Sequence, residues 1–390
     1  MNTTAMTTMT IARPTLLATV FSRRFAANYL STLAVIGVAF WIITSLSNFH
    51  RSMLQGQWSL EPFGIDATLT IHALLVTLIA LYAVILIPYY AAYPWLHSKS
   101  FVFLRGVWFM LLRGLRARGS APAIRDSMSL PMAMRLSPAA SQAGRALLLK
   151  FFFAPLMINW CLSHVADMSS SLYHMAQSAD DGMPLRMLFD ASLFWGLFQL
   201  ILFVDTLLFT LGYIVELPAL NNRIRSVDPT FFGWFICLAC YPPFNEFTMR
   251  FLQWQSSDFP QFNNDLVHLA VNITLLVSLA IFSWASIALG FKASNLTNRG
   301  IVTHGPYAYV RHPAYTAKNL AWWLGALPTI GMTIAIGNWQ AIAYMLLALI
   351  GWTGIYALRA ITEERHLLMA DNGYAEYMRK VRWRFIPGVI

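Results

Sequence analysis

The sequence predicts an all-α fold, a polytopic membrane helix bundle of about eight transmembrane helices with both termini cytoplasmic. Three observations predict it. Only 11% of the 390 residues are charged and 57% are hydrophobic, with a mean hydropathy of +0.55, whereas a soluble domain carries about 25% charged residues. The apolar residues gather into runs of the length, about 20 residues, that crosses a hydrocarbon core. The Lys and Arg between those runs fall almost entirely on alternate loops, as cytoplasmic loops require.

In chain order, the first run, 29–49, is too long for a signal-peptide core and has no small-residue cleavage site after it, so it is expected to be retained. The second is 68–91. Residues 99–145 then form a cytoplasmic, interfacial segment. Phe101–Arg113 is apolar but interrupted by Arg105 and Arg113, which are costly at a bilayer centre, so it is expected to lie along the inner leaflet. The Ser-, Pro-, Ala- and Met-rich run 119–142 reads as a connector. Spans follow at 146–166, 188–216, 230–247, 267–291, 319–337 and 339–359. Residues 1–265 are thus an N-terminal five-span region, and 266–390 a C-terminal part with three spans and a cytoplasmic tail.

On this topology every Lys and Arg among the 27 is cytoplasmic except Arg51, Arg186 and Arg250. The net charge of +10 is therefore a positive-inside signature, and nucleic acid is not an expected partner. The expected setting is a bacterial inner (plasma) membrane, with membrane lipids as neighbours. Three cysteines build no disulfide framework, and Cys237 and Cys240, inside an apolar run, read as small buried hydrophobes. The histidines are scattered without ligand spacing, so no metal site is expected. Asp205, in the middle of a span, must face a partner or a cavity because lipid cannot solvate it. It either lines a chamber or proton path, or is a satisfied interhelical hydrogen-bond partner. Pro242-Pro243 reads as a kink in the fifth span.

The densest polar stretch is Thr303–Tyr315. Gly305-Pro306 and Pro313 constrain its backbone. Tyr307, Tyr309 and Tyr315 offer stacking faces, Arg311 fixed donors, and His312 a donor and an acceptor. The hairpin 319–359 returns Glu363-Glu364 to the side where the loop began, ahead of a basic, aromatic tail. Aromatic faces and carboxylates on a looped backbone suit a polar, partly cationic, nucleotide-like cofactor; an interfacial anchor with surface ion pairs uses the same residues.

Gly305-Pro306-Tyr307-x-x-Val310-Arg311-His312-Pro313-x-Tyr315, then Glu363-Glu364, Gly373-Tyr374-x-x-Tyr377 and Arg384-x-x-Pro387, resembles the integral membrane methyltransferases. These are the isoprenylcysteine carboxyl methyltransferases and the related phospholipid N-methyltransferases. The resemblance covers about the last 100 residues. It implies S-adenosylmethionine bound on the cytosolic side and a lipophilic acceptor entering from the membrane. Carried over position by position, His304, Gly305, Tyr307, Val310, Arg311, His312 and Tyr315 would shape the cofactor pocket, Glu363 and Glu364 would bind its polar groups, and Arg384 would hold an acceptor or close the site. Where that family often has Gly, this chain has Ala317 and then Lys318, which is expected to snorkel to lipid phosphates.

Methyl transfer from a sulfonium requires alignment and exclusion of water. Where the acceptor needs a base, Glu364 or Glu363 is the first candidate and His312 the second; the alternative role for either Glu is that of a cofactor ligand only. Two rivals stand beside this reading. Sterol-type, NADPH-dependent membrane reductases share the Arg-His loop and the tail seen here as Val381-Arg-Trp383-Arg384-Phe-Ile-Pro387. A transporter or a non-catalytic membrane protein would place Asp205 and Glu216 on a path. The acceptor's identity and the oligomeric state are not legible.

Overall fold

The computed structural model describes residues 22–60, 65–119, 135–180 and 182–389. The expected connector lies largely outside the described residues, as do Arg13, Glu61, Arg125 and Asp181. In chain order the elements are α1 (Arg23–Ser45), α2 (Asn48–Leu54), β1 (Gln57–Leu60), β2 (Ile65–Thr70), α3 (Ile71–Ala92), α4 (Lys99–Gly119) and α5 (Pro138–Asp180). Next come α6 (Leu185–Leu188), joined through one π-helical turn (Phe189–Leu193) to α7 (Phe194–Ile214), then β3 (Ser226–Val227), α8 (Phe231–Leu238) and α9 (Asn245–Phe251). The last are α10 (Asp265–Leu289), β4 (Thr297–Asn298), α11 (Pro313–Ala335), α12 (Trp339–Leu368) and α13 (Tyr374–Lys380). Among the described residues, six helices are long and apolar enough to cross a membrane: α1, α3, α5, α6 with α7, α10 and α12. The chain is an all-α, multi-pass membrane protein.

Two of the eight expected spans come out differently. Residues 230–247 are not one helix. Thr230 caps α8, its Oγ1 accepting from Gly233 N at 3.1 Å; α8 stops after 8 residues, and Pro242-Pro243, a cis pair, precedes the 7 residues of α9. At 1.5 Å per residue neither piece exceeds about 12 Å. Two consecutive prolines remove two backbone donors and end the helix there rather than bend it. The other case is α11. Its 23 residues would extend about 35 Å, but it is not among the six. Lys318 and Asn319 interrupt its apolar run, and its first turns form the wall of a polar cavity.

The chain divides into two compact units, Met1–Leu54 with His72–Leu147, and Gln55–Ile71 with Leu148–Ile390. In the first, Phe25, Leu86, Tyr90 and Ala91 form a buried cluster. Asn28, 2% exposed, donates to Leu96 O and accepts from Ser98 N, both at 2.8 Å, and so ties the turn before α4 to α1. Gly144 packs against the Phe103 ring, where a Cβ would come within 2.9 Å; small residues let membrane helices approach closely.

In the second unit, β1 and β2 pair as an antiparallel hairpin with Trp58 opposite Leu69. The core is built where α7, α10 and α11 meet, from Phe194, Phe198, Leu275, Leu276, Leu279 and Ala321. Ser278 on α10 donates to Ala317 O on α11 at 2.7 Å. Ser278→Ala should lower stability by about 0.6 kcal/mol, and by no more than about 1.7, as interhelical hydrogen bonds in membranes do; thermal unfolding in detergent would measure it.

Candidate active site

One polar cap gathers the ends of α7, α10 and α12. The loop after α7 pairs with the loop after α10 through Ser226–Asn298 and Val227–Thr297. Asn222, fully buried, accepts from Leu217 N and donates to Val215 O, both at 2.8 Å. Arg299, 2% exposed, donates to the carbonyls of Asn222 and Gly212 at 2.6 Å. Asn295 receives hydrogen bonds from Arg359 Nη2 at 2.9 Å and donates to the hydroxyls of Tyr213 and Tyr241 at 2.9 and 3.1 Å. These contacts stitch backbone that has left its helices, as buried polar groups demand.

The Arg-His-Pro loop sits against this cap. Gly305 opens a short 3-10 turn with φ of 61°, and a Cβ there would lie 3.1 Å from the Ala288 methyl; both conditions call for glycine. Pro313 starts α11, where a missing N–H is harmless. The tail then runs alongside. Arg311 N donates to Trp383 O at 3.0 Å and His312 N to Arg384 O at 2.9 Å. Tyr377 OH donates to Tyr307 O at 2.7 Å, and burial pushes the Tyr377 phenol up to about 12, so it stays a neutral donor at physiological pH. Tyr374, Tyr377 and Val381 bury together.

The two adjacent glutamates do different things. Glu364, 3% exposed, points into the protein. Its carboxylate accepts from Arg311 Nε at 2.8 Å, from Arg384 Nη2 at 2.8 Å and from Arg384 Nε at 3.2 Å, and lies 3.2 Å from His312 Nε2. Arg311 also donates to the carbonyls of Val381 and Arg382 at 3.1 and 2.9 Å. Glu364 thus latches loop, helix and tail together, and its hydrogen bonds push the Arg384 guanidinium pKa further up. Glu363 faces a cavity instead. Tyr315 OH donates to its Oε1, Arg359 Nη2 lies 3.8 Å away and His312 Nδ1 also 3.8 Å away. A protonated Nε2 faces the Glu364 oxygen, and the Nδ1 edge of the ring is turned toward Glu363.

That cavity, about 230 Å³, is lined by Tyr307, Arg311, His312, Tyr315, Glu363, Tyr374 and Tyr377 among others. All its lining residues belong to the second unit. Of the predicted site residues, these first five line it. Glu364 is behind the wall, and Arg384 is half-exposed on the outer side of the latch. Gly305 shapes the turn, Val310 is buried outside the cavity lining, and His304 is exposed, as is Tyr309 at 68%.

Lys318 corrects an expectation. It does not snorkel: it lines the cavity, with Nζ 5.4, 5.5 and 5.9 Å from the ring centres of Phe282, Trp322 and Tyr356. Its helix directs it at the bundle interior, where aromatic faces attract the cation. Arg359 was legible only as a basic residue near a span end, yet it is buried among Tyr241, Tyr315 and Tyr356, with its charge 5.0 to 5.6 Å from each ring centre. Its spacing of four from Glu363 on one helix face is the signal that marks it. Arg299, Asn295 and His366, which lies 3.0 Å from Ser226 Oγ, carried no such signal. Among the described residues no group of three or more His, Cys, Asp or Glu converges as metal ligands.

A family model described as a protein of unknown function (DUF1295) matches residues 251–381, so the C-terminal region carries that domain. The match takes in α10 to α13 and the Arg-His-Pro loop, and leaves out Asp205 and Arg384. No curated protein and no solved structure matches the chain.

Proposed function

We propose that the chain is an S-adenosylmethionine-dependent methyltransferase acting on a lipophilic acceptor at the cytosolic face of the membrane. One observation carries the reading: the Arg-His-Pro loop and Glu363, separated by a there-and-back hairpin, line one cavity walled by tyrosines. The residues present suit a sulfonium nucleotide. Tyr307 offers a ring face to a cation or a purine, Tyr315 and Tyr356 hold Arg359 beside the cavity, and Glu363 supplies a carboxylate held in place by Tyr315. S-adenosylmethionine, when bound, supplies the methyl electrophile. The protein's part is to orient, to exclude water and to carry charge. The tail, strapped over the loop by Arg311 and Tyr377, closes the cytosolic side. His312, with Nδ1 toward Glu363, is placed to take a proton from an acceptor that must lose one.

A second reading has its own support. Five basic side chains line the cavity, Lys292, Arg299, Arg311, Lys318 and Arg359, against the acids Asp205, Asp228 and Glu363, and such an excess would suit the phosphates of NADPH in a membrane reductase. Against it, Arg299 and Arg311 are already committed to carbonyls and to Glu364. Direct binding separates the two. The purified protein should bind S-adenosylmethionine saturably and NADPH not at all. Saturable NADPH binding without S-adenosylmethionine binding would overturn the methyltransferase reading.

A further inference from the structure

Asp205 and Lys318 stand outside the network described above, yet both line the same cavity. Asp205, on α7, accepts a hydrogen bond from Ser286 on α10. Lys318, on α11, has aromatic faces around its ammonium and, among the described residues, no carboxylate within 4 Å. The two share the cavity lining without closing to an ion pair with each other. Ring faces attract a cation but accept none of its three N–H bonds well, and a carboxylate has room for more donors than one hydroxyl. Charges at membrane depth that are not paired with each other are costly, and mark a binding site.

A cationic ligand alone would be repelled by Lys318, and an anionic one alone by Asp205. A group that carries both charges on neighbouring atoms meets neither objection. We propose that Asp205, Ser286 and Lys318 form a subsite for an α-amino acid group, its ammonium toward Asp205 and its carboxylate toward Lys318. Lys318 is one helical turn beyond Tyr315, and Asp205 lines the same cavity as Tyr307 and Tyr315, so the subsite adjoins the tyrosine-walled end. The inference rests on the methyltransferase reading. The same chemistry has two sources there: the methionyl end of S-adenosylmethionine, or an aminoacyl headgroup on the lipid acceptor.

The test uses the full-length protein in nanodiscs, as wild type, Asp205→Asn and Lys318→Met. Calorimetry compares S-adenosylhomocysteine with 5′-methylthioadenosine, which keeps the nucleoside sulfide and lacks the amino acid. A second arm compares enrichment of phosphatidylserine, whose headgroup is an α-amino acid, with phosphatidylglycerol. Each variant should weaken S-adenosylhomocysteine at least about tenfold and leave methylthioadenosine unchanged, which also reports that the variant is folded. A loss confined to phosphatidylserine would support the subsite and assign it to the acceptor. Variants that bind every probe as wild type does, or that weaken all of them alike, would overturn it. If wild type binds neither nucleoside, the methyltransferase reading fails by itself, and the subsite stands or falls on the phosphatidylserine arm.

Discussion

Glu363→Gln should reduce methyl transfer by at least about 100-fold, equivalent to roughly 2.7 kcal/mol of transition-state stabilisation, with stability near wild type. The carboxylate faces the cavity and is half-buried, with Tyr315, Arg359 and His312 around it. Glutamine keeps the shape and the acceptor for Tyr315 but removes the charge that the proposed sulfonium cofactor would face. Tyr315→Phe removes only the hydroxyl that aims the carboxylate, so a smaller loss, about tenfold, is expected. Transfer of labelled methyl from S-adenosylmethionine into the lipid-extractable fraction of membranes carrying each variant gives both values. Wild-type rates in Glu363→Gln would remove the residue from the proposed chemistry.

Glu364→Ala should have a larger effect on the fold than on any single chemical step. It removes the one carboxylate shared by Arg311, Arg384 and His312 and leaves Arg311, 9% exposed, with a buried, uncompensated charge. Breaking a buried pair from one side costs about 3–5 kcal/mol, a large part of what a native state has in reserve. Arg384→Ala should cost far less, about 1 kcal/mol, because that guanidinium is half-exposed and the pair it leaves behind still has Arg311. Thermal midpoints in a fixed detergent would rank the three proteins. Equal midpoints for Glu364→Ala and Arg384→Ala would show that the carboxylate is not a latch.

The bundle was legible because hydrophobicity over 20 residues is a local quantity: α1, α3, α5, α7, α10 and α12 each coincide with an apolar run. The segment 230–247 has the same composition and failed as a span, since two prolines decide helix continuity irrespective of hydropathy. The candidate site was legible as far as its turn and charge chemistry are local. Gly305, Pro313 and the pairing of an Arg-His loop with a Glu-Glu end stand in the sequence itself.

By itself the sequence determined the membrane class and the hairpin that brings residues 303–315 and 363–364 together, because the cost of burying unpaired backbone in lipid leaves an apolar run little choice but a helix. Only the tertiary structure decided which neighbour of the Glu363-Glu364 pair meets the cavity. Consecutive residues on a helix are about 100° apart, and which direction is the interior depends on where Arg311, Tyr315 and the tail arrive from elsewhere in the chain. The same holds for Lys318 and Asp205: each is an isolated charge in a span until α7, α10 and α11 pack and turn both toward one space.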